Sequence, residues 1–287
     1  MKFGPVLWVT TDQFLNSTLE KSQNIILANL TLLVFLPTRL LALVMVQLVN
    51  QLQFSGVQRF TLLDYPEKIA CILFLPGCNF RCGYCHNPEF VLPETLCKIR
   101  DSFVQENIVM SFLKERVGKL EGVVVSGGEP TIHARLPEFF ARVKELGFAT
   151  KLDTNGSHPE MVKTLLEQGL LSYVAMDLKT SFDHRYTDLA GARANGSKVK
   201  ETLEILKQSK VPFEIRSTLL PAYHSEEVLK AMGEATEGIE KVYLQAFRSQ
   251  KTLDPKLATT ATFSPSELEL IADKYFRSYA KEVFIRF

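Results

Sequence analysis

From Phe54 onward the chain alternates between two patterns of apolar and polar positions. Short runs in which nearly every position is apolar stand between longer stretches where apolar residues recur every three or four positions. Ala70–Leu75 (ACILFL), 122–125 and 173–176 are runs of the first kind, as expected of strands buried on both faces. Segments 148–152, 213–218 and 242–247 are more mixed but still strand-like, which makes six predicted strands.

Helix spacing fills the intervals. Residues 103–117 form the first predicted helix. Residues 136–146 place Phe139, Phe140, Val143 and Leu146 on one face, and Gly147 stops the helix. Residues 160–170 carry Met161, Leu165 and Leu166, and 198–208 carry Val199, Thr202, Leu203 and Leu206. Residues 225–234 supply a fifth helix. The last starts at 264–267, with Ser264 as N-cap, Pro265 at N1 and Glu267 at N3. Such alternation predicts an α/β fold with a parallel sheet and right-handed crossovers. Six units fall short of an eight-fold barrel but fit a partial (βα)6 TIM-like barrel. Functional residues of such sheets gather at the C-terminal ends of the strands.

The first 49 residues break the pattern and form an apolar N-terminal extension to a domain spanning 50–287. Residues 25–48 read IILANLTLLVFLPTRLLALVMVQL, interrupted by Pro37 and Arg39. A spanning helix wants about 20 apolar residues, and an arginine near its centre costs roughly 2.5–3.5 kcal/mol. A signal peptide wants a basic region directly before its apolar core, but Asp12 and Glu20 lie upstream here. The segment is a membrane-associated helix, a helix packed on the domain, or sequence upstream of a start at Met45. The last is the expectation, with a cytoplasmic protein.

Composition narrows the function. The 287 residues are 46% hydrophobic, enough for a substantial core. The net charge of +1, with lysine and arginine dispersed, gives no footprint for nucleic acid. Five cysteines in a chain of this length do not make a disulfide framework.

Three of those cysteines carry the chemistry. Residues 76–88 read PGCNFRCGYCHNP, placing Cys78, Cys82 and Cys85 in a C-x3-C-x2-C run directly after the first strand. Clustered soft thiolates suit an iron–sulfur cluster or zinc. Three thiolates on a four-iron cubane would leave one iron open to substrate. Residues 82–86 also read as C-x-x-C-H, the haem attachment pattern, and His86 could complete a Cys3His zinc site. A chance grouping of buried cysteines is the plainest alternative. The six β/α units speak against a small, mainly helical haem protein. Cys71 lies in an apolar strand and reads as core; Cys97 reads as incidental.

Further motifs end the next three strands. Residues 126–130 read SGGEP, where Gly127 and Gly128 permit close backbone approach and Glu129 offers a carboxylate. Residues 153–156 read DTNG, which by itself suggests a turn. Residues 176–179 read MDLK, which could be a surface ion pair worth little. Arg216 on the fifth strand and Gln245 or Phe247 on the sixth are candidates for ligand contact or ordinary strand residues. The histidines other than His86 show no pattern and read as surface or local capping groups.

The C-x3-C-x2-C run with Tyr84 before its last cysteine resembles the signature of the radical S-adenosylmethionine (SAM) superfamily. Its flanks, 77–82 and 85–88, resemble the glycyl-radical-enzyme activases. Residues 59–68 (RFTLLDYPEK) resemble the opening of the anaerobic ribonucleoside-triphosphate reductase activating proteins. The resemblance covers about residues 54 to 250. It implies a radical SAM partial barrel in which Cys78, Cys82 and Cys85 hold a 4Fe–4S cluster. It further implies that Tyr84 and Gly127–Gly128–Glu129 contact SAM, the last three at its methionyl amine. Asp153, Thr154 and Asp177 would bind SAM with a monovalent cation, and Lys179 the SAM carboxylate. His86 would order the loop rather than ligate iron. The implied activity is reductive cleavage of SAM to a 5′-deoxyadenosyl radical that installs a glycyl radical on a partner, anaerobic ribonucleotide reductase. A flavodoxin- or ferredoxin-type donor would supply the electron. Only Cys97 lies between the cysteine loop and Gly127, which argues against a ferredoxin-type insert. The alternatives are a small-molecule radical SAM enzyme like 7-carboxy-7-deazaguanine synthase, against which 86–88 (HNP) speaks, and a zinc-binding interaction module.

Overall fold

A computed structural model of the protein describes residues 51–85, 87–249 and 252–287. The expectations for residues 1–49 and for His86 lie outside them. Leu52–Phe287 form one compact unit.

The six predicted strands are present as β3 (Ala70–Leu75), β5 (Gly122–Gly127), β6 (Ala149–Thr154), β7 (Tyr173–Asp177), β8 (Phe213–Leu219) and β9 (Lys241–Ala246). They are mutually parallel neighbours in that order. Two edge strands extend the sheet to eight. β2 (Gly56–Thr61) pairs antiparallel with β3, and β10 (Glu282–Arg286) pairs parallel with β9. The sheet does not close, so the fold is the expected partial barrel with two strands beyond the prediction. A short pair, β1 (Gln53–Phe54) and β4 (Val104–Gln105), lies apart from it.

The crossover helices follow the pattern. The chain runs through α1 (Pro93–Ile99), α2 (Glu106–Glu115), α3 (Leu136–Glu145), α4 (Pro159–Glu167), α5 (Arg185–Ala190), α6 (Gly196–Gln208), α7 (Glu226–Ala235) and α8 (Pro265–Tyr275). Helix α2 starts three residues later than predicted because Val104–Gln105 pair with β1. Gly147 takes φ +87° after α3, as a C-terminal stop requires. At α8, Glu267 N–H donates to Ser264 Oγ and the Glu267 carboxylate accepts from Ser264 N–H, closing the predicted capping box. Among the described residues no helix is long and apolar enough to cross a membrane.

Strand alternation divides the sheet into two faces. Leu73, Val125, Leu152 and Val174 pack outward against the helices in the main core. Ile72, Val124 and Tyr173 face the concave side with Tyr65, which plugs the N-terminal mouth. A Cβ on Gly122 would sit 2.8 Å from the Tyr65 ring, so the plug requires glycine there. Tyr173 marks the change from this apolar floor to polar groups: Lys151 lies over its ring and its hydroxyl donates to Glu214 (2.9 Å), and the strand C-termini beyond carry the motif residues.

Candidate functional site at the strand ends

The cysteine loop leaves β3 at that end and is pinned along its length. Gly77 N–H donates to Phe90 C=O (2.8 Å), Arg81 N–H to Ala190 C=O (2.7 Å) and Asp254 N–H to Gly83 C=O (2.9 Å). Arg81 Nη1 folds back to donate to the carbonyls of Cys78 (2.6 Å) and Phe80 (2.8 Å). Phe80 is buried, with its ring edge against Tyr186. The loop is thus held in shape by its own Arg81 and by groups from three other segments.

All three loop thiols are free; Cys82 is buried, as is Cys71 in β3, Cys78 and Cys85 are half-buried, and Cys97 is exposed. Burial pushes the Cys78 thiol up to about 12 and the Cys82 thiol up to about 11, and it raises Cys85 as well. Lys179 pulls all three the other way. Two N–H groups are aimed at Cys78 Sγ: Phe80 N at 3.4 Å and Asn155 Nδ2 at 3.9 Å. Among the described residues no three His, Cys, Asp or Glu side chains converge on a single ion. A cubane takes each thiolate on a different iron, so it does not ask for that convergence. Within the loop, the Tyr84 hydroxyl is buried without a protein partner. Three soft donors, N–H groups directed at sulfur, a nearby cation and an orphaned hydroxyl fit a thiolate-bound cluster with a polar ligand beside it.

The SGGEP segment locks onto this loop. Gly128 N–H donates to Leu75 C=O (2.9 Å) and Glu129 N–H to Gly77 C=O (2.8 Å). A Cβ on Gly127 would lie 2.2 Å from Leu75 O, and one on Gly128 would lie 1.9 Å from Gly77 O. Both glycines are therefore demanded by backbone approaching backbone, before any ligand is considered. Gly128→Ala is expected to cost at least 2–3 kcal/mol, at the upper end of ordinary point mutations, and to lower the thermal midpoint accordingly. A wild-type melting curve for that variant would refute the close approach.

Glu129 is almost fully buried, and both its oxygens are in use. Oε1 accepts from Thr131 N–H (3.0 Å), Thr131 Oγ1 and Thr154 Oγ1 (2.7 Å); Oε2 accepts from Asn155 N–H (2.6 Å). Burial raises its pKa while these four donors oppose the rise. The carboxylate thus ties the end of β5 to the end of β6.

Asp153, Asp177, Lys179 and Arg216 come together as one chain of charges. Lys151 Nζ meets Asp153 Oδ1 at 2.5 Å, Arg216 Nη2 meets Asp153 Oδ2 at 3.1 Å, Arg216 Nε meets Asp177 Oδ1 at 3.5 Å, and Lys179 Nζ meets Asp177 Oδ2 at 3.0 Å. The 177/179 pair is no isolated surface bridge: Lys179 has a side-chain exposure of 15%, and its ammonium lies 6.0 Å from the Tyr84 ring centre. Burial works against the Lys179 charge, but Asp177, Tyr84 and Cys82 carry its pKa well above the ordinary value. Burial likewise opposes charge on Asp153, and Arg216 with Lys151 holds it below the usual range. Buried Glu214 adjoins the chain: it favours the Arg216 charge and accepts from the Tyr173 hydroxyl (2.9 Å), so three carboxylates face the three cations.

Sequence reading missed several contributors. Lys151 was an unremarked strand residue, yet its side chain is 1% exposed. Asn79, Asn155 and Ser157 form a linked set: Asn155 Nδ2 donates to Asn79 Oδ1 (3.1 Å), Asn79 Nδ2 to Ser157 Oγ (2.9 Å) and Ser157 N–H to Asn155 Oδ1 (2.9 Å). Their adjacency to the motifs was the available signal. The histidine reading needs correction. His133 Nε2 bonds Pro76 C=O (2.9 Å), His224 Nε2 bonds Lys179 C=O (3.0 Å), and His158 Nδ1 lies within bonding distance of Ser157 and Thr131. These three brace the site; His184, with a side chain 75% exposed, is the surface group. Phe247 is buried in the main core, and Gln245 lies on β9 opposite Thr218. The structure places neither in the charge chain.

Comparison with known proteins gives the frame. Residues 72–235 match the Radical SAM superfamily. A Methanocaldococcus jannaschii protein described as a candidate glycyl-radical enzyme activating enzyme is 30% identical over 237 residues, covering 81% of this chain and 95% of that one. The pyruvate formate-lyase-activating enzyme of Staphylococcus aureus is 29% identical over 196 residues, covering 65% of this chain and 76% of that one. Among solved structures, Streptococcus suis SuiB bound to S-adenosylmethionine superposes with a TM-score of 0.50 at 13% identity, covering 75% of this chain and 51% of that one, a likeness of fold alone. The family match runs from β3 through α7 and so takes in every motif that ends a strand. A match of that extent makes this chain a member of the radical SAM superfamily and a relative of the glycyl-radical-enzyme activases.

Proposed function

We propose that this chain installs a glycyl radical on a partner enzyme, anaerobic ribonucleotide reductase, within a cytoplasmic domain spanning residues 50–287. The observation that carries the reading is the meeting, at one end of the sheet, of the three-thiol loop and the charge chain from Lys151 to Lys179. In it, Cys78, Cys82 and Cys85 each hold one iron of a 4Fe–4S cluster. Bound there and reduced, such a cluster would supply the one electron that breaks the S–C5′ bond of SAM, releasing methionine and a 5′-deoxyadenosyl radical that becomes 5′-deoxyadenosine on taking a glycine hydrogen atom.

The chain's own residues bind and orient SAM. Lys179, whose ammonium lies between Asp177 and the Tyr84 ring beside the thiol loop, is the direct partner of the SAM carboxylate. The main chain at Gly127–Gly128 receives the methionyl amine, since the Glu129 oxygens already accept four bonds. The Tyr84 hydroxyl gains a partner from the ligand. A monovalent cation joins Asp153, Thr154 and Asp177 only together with the SAM carboxylate, because lysine and arginine already balance both aspartates. The Tyr65 plug with Ile72 and Val124 shields the site from water on the side of the strand N-termini. The ribonucleotide reductase assignment is supported by residues 59–68 and by the lack of further cysteines between the loop and Gly127 apart from Cys97. A flavodoxin- or ferredoxin-type protein serves as electron donor.

Asp177→Ala is expected to weaken SAM binding about tenfold or more, equivalent to roughly 1.5–3 kcal/mol, with iron content unchanged. Unaltered SAM titrations would remove Asp177 from the site. The function itself is tested by mixing reconstituted, reduced protein and SAM with anaerobic ribonucleotide reductase or with pyruvate formate-lyase. A glycyl radical signal with the reductase and release of 5′-deoxyadenosine are expected. A signal with the lyase alone reassigns the partner, and absence of 5′-deoxyadenosine under reducing conditions defeats the radical reading.

A further inference from the structure

The first loop cysteine is treated differently from the other two. Its sulfur receives N–H groups from two sources, the Phe80 main chain at 3.4 Å and the Asn155 side chain at 3.9 Å. The second comes from a residue 77 positions away, at the end of β6. Asn155 is buried, at 4% exposure, and every polar group of its side chain is committed. Oδ1 accepts from Ser157 N–H at 2.9 Å, which fixes the amide so that Nδ2 must face Cys78 and Asn79. Its main-chain N–H is held by Glu129 at 2.6 Å. The donor is thus locked in place by the same carboxylate that joins the strand ends.

We propose that Asn155 is a positioning residue that sets the reduction potential of the cluster by donating its side-chain amide to Cys78 Sγ. The inference rests on the cluster reading given above. An N–H donor to a cluster thiolate stabilises the more negatively charged reduced state over the oxidised one, so it raises the potential. The Phe80 N–H belongs to the main chain and survives any substitution at 155, so one donor remains and the cluster retains its ligands.

The test uses the full chain, reconstituted anaerobically and titrated with a reductant while the reduced cluster is followed by electron paramagnetic resonance. Asn155→Ala is expected to keep its iron and to become harder to reduce. At a fixed potential the ratio of reduced to oxidised cluster should fall about tenfold, which for one electron is ~59 mV. Asn155→Ser, which retains an oxygen for Ser157 N–H but cannot carry the amide to the sulfur, should shift in the same direction and is read alone if the alanine variant does not load. Asn79→Ala removes the other acceptor of the amide but leaves the sulfur contact, so its potential should not fall. Unmoved potentials in the loaded position-155 variants overturn the proposal. An equal fall in Asn79→Ala also overturns it, because the rigidity of the network would then be the cause. Loss of iron from both position-155 variants assigns the residue to cluster assembly and overturns it too. A wild-type protein that binds no iron–sulfur cluster defeats the underlying reading instead, so the two failures are distinguishable.

Discussion

Alanine at Cys78, Cys82 or Cys85 should abolish the broad visible absorption of the reconstituted protein, whereas alanine at Cys71 or Cys97 should leave it intact. Each loop thiolate binds a different iron, so losing any one removes a corner of the cluster and opens a second iron. The buried site intensifies the effect. Without metal, burial raises all three thiols and favours their protonated forms. Metal binding is what offsets the burial of thiolate charge, and two thiolates offset less than three. Cys71 is fully buried, but it packs in β3 within the main core and faces the helices with Val123. Removing its sulfur should cost about 1 kcal/mol of stability and no iron. Iron and sulfide analysis with a visible spectrum of each of the five variants decides the matter. Full iron content in any loop variant, or loss of iron on Cys71→Ala, would contradict the ligand assignment.

The second large effect is expected at Glu129. Alanine there strands four donors: the N–H and hydroxyl of Thr131, the hydroxyl of Thr154 and the N–H of Asn155. Hydrogen bonds to a charged acceptor contribute roughly 1.5–3 kcal/mol each, and their losses do not simply add. A total loss of several kcal/mol is expected, enough to lower the thermal midpoint of the apo-protein by many degrees. Glu129→Gln should fall between, because Oε1 can still accept while the new amide points a donor at Asn155 N–H. Weakened SAM binding then follows from loosened strand ends. The alternative, a carboxylate whose main duty is to hold the SAM amine, predicts the opposite pattern: wild-type melting with poor SAM binding. Thermal unfolding measured beside SAM titration separates the two.

Most of the fold was legible because buried parallel strands leave a plain trace. β3, β5 and β7 are covered on both faces, so their sequences are nearly continuous apolar runs. The edge strands left a fainter one. β2 has two exposed and three half-buried positions in six, and β10 has none fully buried, so neither shows alternation against water. Helix α5, six residues between Lys179 and α6, is too short for a periodic signal. The motifs were legible too, since chemistry at the strand ends requires particular residue types at fixed distances from each apolar run.

What each motif residue does was less legible. The glycines of SGGEP suggested a ligand pressed against backbone, whereas the nearest neighbours of their missing side chains are Leu75 and Gly77. Glu129 read as a ligand-binding carboxylate; that it also ties two strand ends together came only with the fold. His133, His158 and His224 carried no spacing signal because each bonds a carbonyl or hydroxyl made near by the fold alone.

The sequence by itself determined the alternating α/β architecture, the three-thiol loop after the first strand and the family to which the chain belongs. These depend on local periodicity and short spacing, which survive in one dimension. Only the tertiary structure decided that Lys151, Asp153, Arg216, Asp177 and Lys179 form one chain of charges, and that Asn155 reaches Cys78. The links from Arg216 to Asp153 and Asp177, and from Asn155 to Cys78, join residues tens of positions apart in the chain, the first and last of them across an intervening strand. They follow from parallel pairing in fixed register, which brings strand ends together and turns separate polar residues into a single site.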